Sequence, residues 1–274
     1  MRFDPTAVAA GFGLAAHDVL GSTNAEALIQ ARRGENGPLW VVAREQTAGR
    51  GRRGREWVSA PGNLYATLLL LDPAPAESAA QLAFVTALAV HDAIVDCASD
   101  IADRLALKWP NDVLCADKKL AGILIESEMT GGRLATAIGI GVNCTRHPAQ
   151  ASFPATDLAA AGAKVSPESL LYALSRAMAR RLDQWSRGAG FARIRADWLA
   201  GATGLGREIT VRLAGGDVGG YFEGLDDAGR LLLRLAGGKL ETVTAGDIFP
   251  VVERAPVTSL FQGAKAPATK GPPA

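Results

Sequence analysis

The pattern of the chain changes at a glycine-rich segment, AGATGLG, at residues 200–206. Before this segment, strand-like apolar runs alternate with longer helix-like stretches, and after it five short strand-like pieces follow one another with Gly and Asp between them. The first part therefore predicts an α+β domain with a mixed sheet flanked by helices over residues 1–203, and the second predicts a small β-barrel over residues 204–254. We expect residues 255–274, which contain four Pro and five Ala, to form a disordered tail.

Several segments of the first part carry a clear signal for one type of element. The sequence Ser-Pro-Glu at residues 166–168 predicts the start of a helix that runs to about Arg187, because Ser caps a helix and Pro fits its first turn. Apolar segments on either side of Gly131 and Gly132 predict a hairpin. The predicted strands cover residues 39–45, 64–71, 105–109, 119–128 and 134–143, and the other predicted helices cover residues 77–99 and 191–199.

Composition narrows the classes of function. The 274 residues have a formal charge of +1, so no overall field draws the chain to nucleic acid or to an anionic membrane. Three cysteines without a CxxC pair argue against a disulfide framework and favour a reducing, cytoplasmic setting. The three histidines lack the spacing of a dedicated metal site, and the longest apolar run is far shorter than a bilayer. We therefore expect neither a metal centre nor contact with a membrane.

Positive charge is concentrated in one loop. Residues 44–55, REQTAGRGRRGR, hold five Arg against one Glu, and residues 49–55 contain only Arg and Gly. Glycine lets the backbone approach a phosphate, and the planar guanidinium of Arg donates two hydrogen bonds to phosphate oxygens. This composition alone fits three alternatives: a phosphate-containing ligand, a nucleic acid, or a solvated basic turn. Repulsion among the arginines predicts a loop that is mobile when empty and folds over a negatively charged ligand.

Four further segments carry weaker signals, each with a structural alternative. KWPND at residues 108–112 offers a carboxylate to orient Mg²⁺ or a nucleophile, or it is an ordinary turn. KKLAG at residues 118–122 is a solvated strand start, or it places a lysine before a glycine that admits a ligand to the backbone. GIGVN at residues 139–143 either presents the Asn143 amide to a ligand at the end of a strand or is a strand end with packing glycines. GSTNAEAL at residues 21–28 either binds a ligand or caps a helix.

In this order and at this spacing, these segments resemble the motifs of the biotin protein ligase family. The series comprises STN, EQTAGRGRRGREW with PGNLY, KWPND, KLAGIL and GIGVN, followed by the small β-domain. The resemblance implies a class II synthetase-like catalytic domain and a C-terminal SH3-like barrel. It also implies that biotin and ATP, with Mg²⁺, form biotinyl-5′-AMP and pyrophosphate, after which the biotinyl group passes to a lysine of a biotin carboxyl carrier domain.

The resemblance assigns roles to individual residues. The expected catalytic residues are Arg50, Arg52, Lys119 and Asp112, with Asp112 orienting or deprotonating the carrier lysine. The expected biotin-binding residues are Ser22, Thr23, Asn24, Gln46, Arg50, Gly51, Arg52, Lys119 and Gly122. The expected ATP-binding residues are Arg52, Arg55, Trp57, Asn111, Lys119 and Asn143, and Mg²⁺ is expected to arrive with ATP. Phe153 is a candidate to stack on adenine. Trp57, Tyr65 and Trp109 are candidates to wall the biotin or adenylate pocket, although core packing is the favoured role of each one taken singly.

Two other functions are weighed against this one. Lipoate or octanoate ligases share the fold and acylate a carrier lysine, but the Arg/Gly loop favours biotin. A nucleic-acid-binding module would use the same loop, but no aromatic residues alternate with its arginines. Few residues precede the first expected strand, so we expect no N-terminal helix-turn-helix domain and no operator binding. A homodimer is left open by the sequence.

Overall fold

The structure is a computed structural model, and it describes residues 3–149 and 153–250. In chain order its helices and strands are α1 (Pro5–Ala9), β1 (Gly13–Leu20), α2 (Thr23–Arg32), β2 (Leu39–Gln46), β3 (Leu64–Leu71), α3 (Leu82–Cys97), β4 (Leu105–Lys108), β5 (Asp112–Cys115), β6 (Lys118–Thr130), β7 (Arg133–Val142), α4 (Pro167–Trp185), α5 (Phe191–Ala200), β8 (Glu208–Leu213), β9 (Gly216–Leu225), β10 (Leu231–Arg234), β11 (Leu240–Val243) and β12 (Asp247–Pro250). The disordered tail expected at residues 255–274 lies outside the described residues.

Seven strands form a mixed sheet in the order β1-β2-β3-β7-β6-β5-β4. Strands β1 and β2 are parallel, and the helix α2 joins them because a parallel pair needs a crossover connection. The other neighbouring pairs are antiparallel. Gly131 and Gly132 turn between β6 and β7 with φ of 55° and 77°, a conformation that glycine adopts without steric cost. The predicted hairpin and the predicted mixed sheet with flanking helices are confirmed.

Both faces of the apolar strand β3 are buried. Leu68 belongs to the main core, which also contains the buried residues of α3, α4 and α5, whereas Leu69 packs on the other face with Ala27 and Leu28 of α2. Burial on both faces explains the continuous apolar run at this strand. The segment Ala76–Cys97 is long and apolar enough to cross a membrane, but 67% of its most apolar window is buried inside the protein, as in a core helix.

The ends of several elements differ from the predictions. Helix α4 begins as expected, with the Ser166 hydroxyl accepting from the Ser169 amide, but it ends at Trp185 because Ser186 and Arg187 adopt positive φ. The helix predicted from residue 77 begins with a 3₁₀ segment, Ala76–Gln81, and becomes α-helical at Leu82. The strand predicted over residues 105–109 ends at Lys108 and Asp112 is already the first residue of β5, so the turn covers residues 109–111 instead of 110–112.

The second sheet has five antiparallel strands in the order β11-β10-β9-β8-β12. Its buried residues, such as Phe222, continue the core of the first sheet. Trp109 Nε1 donates a hydrogen bond of 3.1 Å to the Gly229 carbonyl, which fixes the second sheet against the end of β4. Within the described residues β11 and β12 are the end strands of this sheet. Closure into a barrel therefore stays a prediction, as does the domain boundary at residues 203 and 204.

Candidate active site

A cavity of about 400 Å³ lies where α2 begins and β2 ends, between the Arg/Gly loop and strands β5, β6 and β7. Asp247 and Phe249 of β12 contribute to its lining, so the second sheet forms part of the wall. The cavity brings together all the site residues predicted from the sequence: Ser22, Thr23, Asn24, Gln46, Arg50, Gly51, Arg52, Arg55, Trp57, Asn111, Asp112, Lys119, Gly122 and Asn143.

Neutral side chains at the start of α2 form a continuous hydrogen-bonded network. The Gln46 Oε1 accepts from the amide and the hydroxyl of Thr23 at 2.8 and 3.1 Å, and Gln46 Nε2 donates to the Ser59 hydroxyl at 2.9 Å. The hydroxyl of Thr67 lies 2.8 Å from the Thr23 hydroxyl and 2.7 Å from Asn24 Oδ1. This network is packed into the sheet, so its polar groups are held in fixed positions.

Ser22 occupies the N-cap position of α2, but its side chain makes no capping hydrogen bond. Gln46 instead satisfies the first amide of the helix, that of Thr23. Capping was one of two explanations for the polar residues before α2, and the structure does not support it for Ser22.

The arginines of the loop are paired with carboxylates from two other strands. Arg50 Nη2 lies 3.1 Å from Glu126 Oε2 of β6. Asp247 of β12 receives Arg52 at 3.4 Å, Arg53 at 3.6 Å and Arg55 at 2.9 Å. Because one carboxylate faces three guanidinium groups, the loop keeps excess positive charge that is available to an anionic ligand.

Arg52 is the most buried arginine of this cluster. Its Nη1 also donates to Asn111 Oδ1 at 3.1 Å and to the Gly246 carbonyl at 3.3 Å. Burial lowers the pKa of the Arg52 guanidinium, and the charges of Asp247 and Asp112 oppose this shift. A guanidinium remains protonated in proteins, so Arg52 is a partly desolvated cation that binds an anion more strongly than it would in water.

A buried carboxylate lies between two lysines. Asp112 Oδ2 is 2.9 Å from Lys108 Nζ, and Asp112 Oδ1 is 2.6 Å from Lys119 Nζ. Burial alone would raise the pKa of Asp112, but the charges of Lys119 and Lys108 outweigh it and hold the pKa below its usual value. The group carries a net positive charge, and the side chain of Lys119 is its more exposed end. Among the described residues, no three His, Cys, Asp or Glu side chains are grouped to hold a metal ion.

Glycines line the cavity where the aromatic ring of Trp57 lies on the sheet. A Cβ atom at Gly141 would overlap the Trp57 indole, and one at Gly122 would lie 3.0 Å from the same ring. A Cβ atom at Gly139 would collide with the Asn24 amide. Small residues in these strands are therefore required for Trp57 and Asn24 to reach their positions.

Aromatic residues divide between the cavity and the core. The ring of Phe153 lines the cavity, 4.5 Å from Lys108 Nζ and 6.1 Å from the ring of Phe249. Tyr65 and Trp109 are each 1% exposed and belong to the core, as expected. Burial raises the pKa of Tyr65 to about 12, and its hydroxyl donates to the Ala60 carbonyl.

Asn143 lines the cavity, but its Nδ2 donates to the Thr156 carbonyl at 2.9 Å. The neighbouring Lys119 amide donates to the Pro154 carbonyl at 2.7 Å. Asn143 therefore fixes the segment that carries Phe153 beside Lys119.

Four polar residues near the cavity were not singled out from the sequence. Lys108 stands in the KWPND motif, where its position next to Asp112 could have signalled a role. Glu126, Thr67 and Asp247 come from segments without a recognisable pattern, and only the fold brings them to the loop and the network.

The fold and this cavity define a ligase of the biotin and lipoate class. Residues 19–143, which run from the last two residues of β1 to the end of β7, match the family described as Biotin/lipoate A/B protein ligase family. Residues 204–249, which cover the second sheet, match the family described as Biotin protein ligase C terminal domain.

Similarity to individual proteins assigns the chain to the biotin ligases within this class. The chain is 47% identical over 238 residues to the biotin–[acetyl-CoA-carboxylase] ligase of Paracoccus denitrificans, covering 83% of this chain and 96% of that protein. Its structure is similar to the biotin protein ligase of Aquifex aeolicus in complex with biotin and ATP, with a TM-score of 0.71, 27% identity, and coverage of 86% of this chain and 97% of that one. It is also similar to the Leishmania major biotin protein ligase in complex with biotinyl-5-AMP, with a TM-score of 0.59, 28% identity, and coverage of 85% and 99%. The chain belongs to the biotin protein ligase family.

Proposed function

We propose that this protein is an ATP-dependent biotin ligase. It joins biotin to the AMP part of ATP, which gives biotinyl-5′-AMP and pyrophosphate, and then transfers the biotinyl group to a lysine of a biotin carboxyl carrier domain. The observation that carries this proposal is that one cavity contains both a neutral hydrogen-bonding network and five cationic side chains: Arg50, Arg52, Arg55, Lys108 and Lys119. The similarity to ligases solved with biotin, ATP and the acyl-adenylate supports the same reaction.

The neutral network suits the ureido ring of biotin. This ring is uncharged and offers one carbonyl oxygen and two N–H groups, so it needs both donors and acceptors. Thr23, Asn24 and Gln46 supply amide and hydroxyl groups of both kinds in the lining of the cavity, and Ser22 lies beside them. Gly51 and Gly122 allow the ligand to approach the backbone closely.

The cationic side chains suit the formation of the acyl-adenylate. The biotin carboxylate must approach the α-phosphate of ATP, and two anions come together only when positive charge neutralises them. Arg50, Arg52 and Lys119 supply that charge, and Lys119 remains beside the carbonyl to polarise it when the carrier lysine attacks. Arg55, Trp57, Asn111 and Asn143 are placed to bind the nucleotide, with Phe153 available to stack on adenine.

Mg²⁺ fits this site as a companion of the nucleotide. Of the cavity carboxylates, Asp112 and Asp247 already pair with lysines and arginines, which leaves the exposed Glu56, so the phosphate oxygens of ATP supply most of the ligands. Asn143 carries a neutral side-chain oxygen suited to complete the shell, whereas the Asn111 oxygen already accepts from Arg52. When bound, the ion neutralises charge on the phosphates.

Asp112 is better suited to orient Lys119 than to deprotonate the carrier lysine. Both of its oxygens face ammonium groups, and its lowered pKa makes it a weak base. The carboxylate holds Lys119 Nζ at 2.6 Å, which fixes the ammonium group at the edge of the cavity. The carrier lysine then loses its proton to another acceptor, such as solvent.

The partner of the second step is a carrier domain of a biotin-dependent carboxylase, as the name of the Paracoccus denitrificans relative implies for that enzyme. ATP is available in the cytoplasm, and three cysteines without a CxxC pair suit its reducing conditions, so we place the reaction there.

The proposal is tested by supplying the purified protein with ATP, Mg²⁺ and either biotin or lipoate, and by measuring pyrophosphate release. We expect release with biotin and much less with lipoate. Addition of an isolated carrier domain should then give a product heavier by one biotinyl group in its mass spectrum. Release with lipoate and none with biotin would reassign the protein to the lipoate branch of the class.

A further inference from the structure

We infer that Glu126, on β6, is a positioning residue that sets which atoms of the neutral network donate and which accept, and that holds Arg50 beside that network. The inference deepens the proposed function and rests on it. Glu126 is not one of the residues that line the described cavity, but its carboxylate contacts two that do, Asn24 and Arg50.

One oxygen of Glu126 joins the two halves of the site. Asn24 Nδ2 donates to Glu126 Oε2 at 2.7 Å, and Arg50 Nη2 donates to the same oxygen at 3.1 Å. The Glu126 side chain is 31% exposed, so these charge-assisted bonds are only partly screened by water. The carboxylate therefore ties the start of α2 to the Arg/Gly loop.

The charge of Glu126 also fixes the orientation of the Asn24 amide. An ionised carboxylate only accepts hydrogen bonds, so Asn24 turns its NH₂ group toward Glu126, and the same group also donates to the Leu124 carbonyl at 3.3 Å. Its oxygen then faces Thr67, 2.7 Å away, and the single proton of the fully buried Thr67 hydroxyl is donated to it. A flipped amide would place the Asn24 oxygen against the carboxylate and leave the Thr67 proton facing another NH₂ group.

The assignment of donors and acceptors extends to Thr23, which lines the cavity. Because Thr67 gives its proton to Asn24, the Thr23 hydroxyl receives none from Thr67 and donates its own proton to Gln46 Oε1 at 3.1 Å. The Thr23 oxygen is then left as an acceptor, and Gln46 Oε1 also accepts from the Thr23 amide. An acceptor at Thr23 suits an N–H group of a cyclic urea rather than its carbonyl oxygen.

The test is the variant Glu126→Gln, which keeps the size of the side chain but can donate as well as accept. Its control is Glu128→Gln, two residues further on the same face of β6, where the carboxylate pairs with Arg32 of α2 at 3.0 Å. We expect the KM for biotin in pyrophosphate release to rise about tenfold or more in the first variant, because the charge-assisted hydrogen bonds from Asn24 and Arg50 are lost. The KM for ATP, the Tm and all values of the control should stay close to those of the unchanged protein.

A second variant distinguishes the contribution of the hydrogen-bonded network from that of the ion pair between Glu126 and Arg50. Thr67→Val interrupts the network at its middle without removing the Glu126 charge, and it should raise the biotin KM as well. The double variant with Glu126→Gln should be no worse than the more affected single variant, because both act through the same hydrogen bonds.

Two results would overturn the inference. One is a biotin KM of Glu126→Gln that equals that of the unchanged protein, and the other is an equal rise of both KM values together with a fall in Tm, which indicates a purely structural tie. Failure of the unchanged protein to release pyrophosphate with biotin would refute the proposed function instead, so the two failures are distinguishable.

Discussion

Removal of the charge of Asp112 should destabilise this protein more than most single substitutions. In Asp112→Asn, the ammonium groups of Lys108 and Lys119, which lie 2.9 and 2.6 Å from the carboxylate, would face a neutral amide in a buried position. Leaving buried charges unpaired costs about 3–5 kcal/mol. For chains of this size, 1 kcal/mol lowers the Tm by about 2–4 °C, so the expected fall in Tm is roughly 6–20 °C.

The same ion pairs determine the pH dependence of stability. The two lysines hold the pKa of Asp112 lower in the folded protein than in the unfolded chain, despite its burial. Such a group stabilises the fold at pH values above its unfolded pKa of about 3.9, and its contribution is lost as the pH falls through the lower, folded pKa. The free energy of unfolding should therefore fall more steeply below about pH 4 in the unchanged protein than in Asp112→Asn.

Thermal unfolding followed by circular dichroism at pH 7 and at pH values below 4 checks both expectations. The double variant Lys108→Met, Asp112→Asn provides the control, because it removes one of the two unpaired cations and should recover part of the lost Tm. The reasoning would be refuted if Asp112→Asn melted within about 2 °C of the unchanged protein at pH 7, which corresponds to a loss of less than 1 kcal/mol.

Three further substitutions test the site. Arg52→Ala removes charge-assisted bonds worth about 1.5–3 kcal/mol each, so biotinyl-5′-AMP should dissociate at least about tenfold faster, as a filter-binding assay would measure. Lys119→Ala should leave the Tm within a few degrees but lower the kcat of pyrophosphate release about 10²-fold or more, and an unchanged kcat would remove Lys119 from the chemistry. Gly141→Ala should displace Trp57 and raise the KM for biotin and the KM for ATP. The same change at Gly219 on β9, where a Cβ would meet nothing within 4 Å, should have no effect on activity.

Sequence patterns predicted the elements that are determined by interactions within a few residues. The start of α4 and the hairpin at Gly131 and Gly132 follow from side-chain capping and from positive φ, both of which act within a few residues. The short elements α1 and β5 were not predicted, because five-residue and four-residue segments carry no periodicity, although Asp4 and Pro5 give α1 the same start signal as α4 has. Their conformation is set by neighbours in the fold, such as the pairing of β5 with β4 and β6.

The same distinction separates the site residues that the sequence identified from those it did not. Arg52 stands in a loop whose composition fits an anionic ligand, and Asp112 and Lys119 stand in motifs that gained a role from the resemblance to the ligase family. The partners that fix these side chains come from distant strands, as Asp247 does for Arg52, and no local pattern marks them. Asp247 offsets the repulsion among the arginines, although it lies 195 residues from Arg52 along the chain. A count of charge along the sequence therefore locates a binding loop, but its conformation depends on counter-charges that only tertiary structure brings to it.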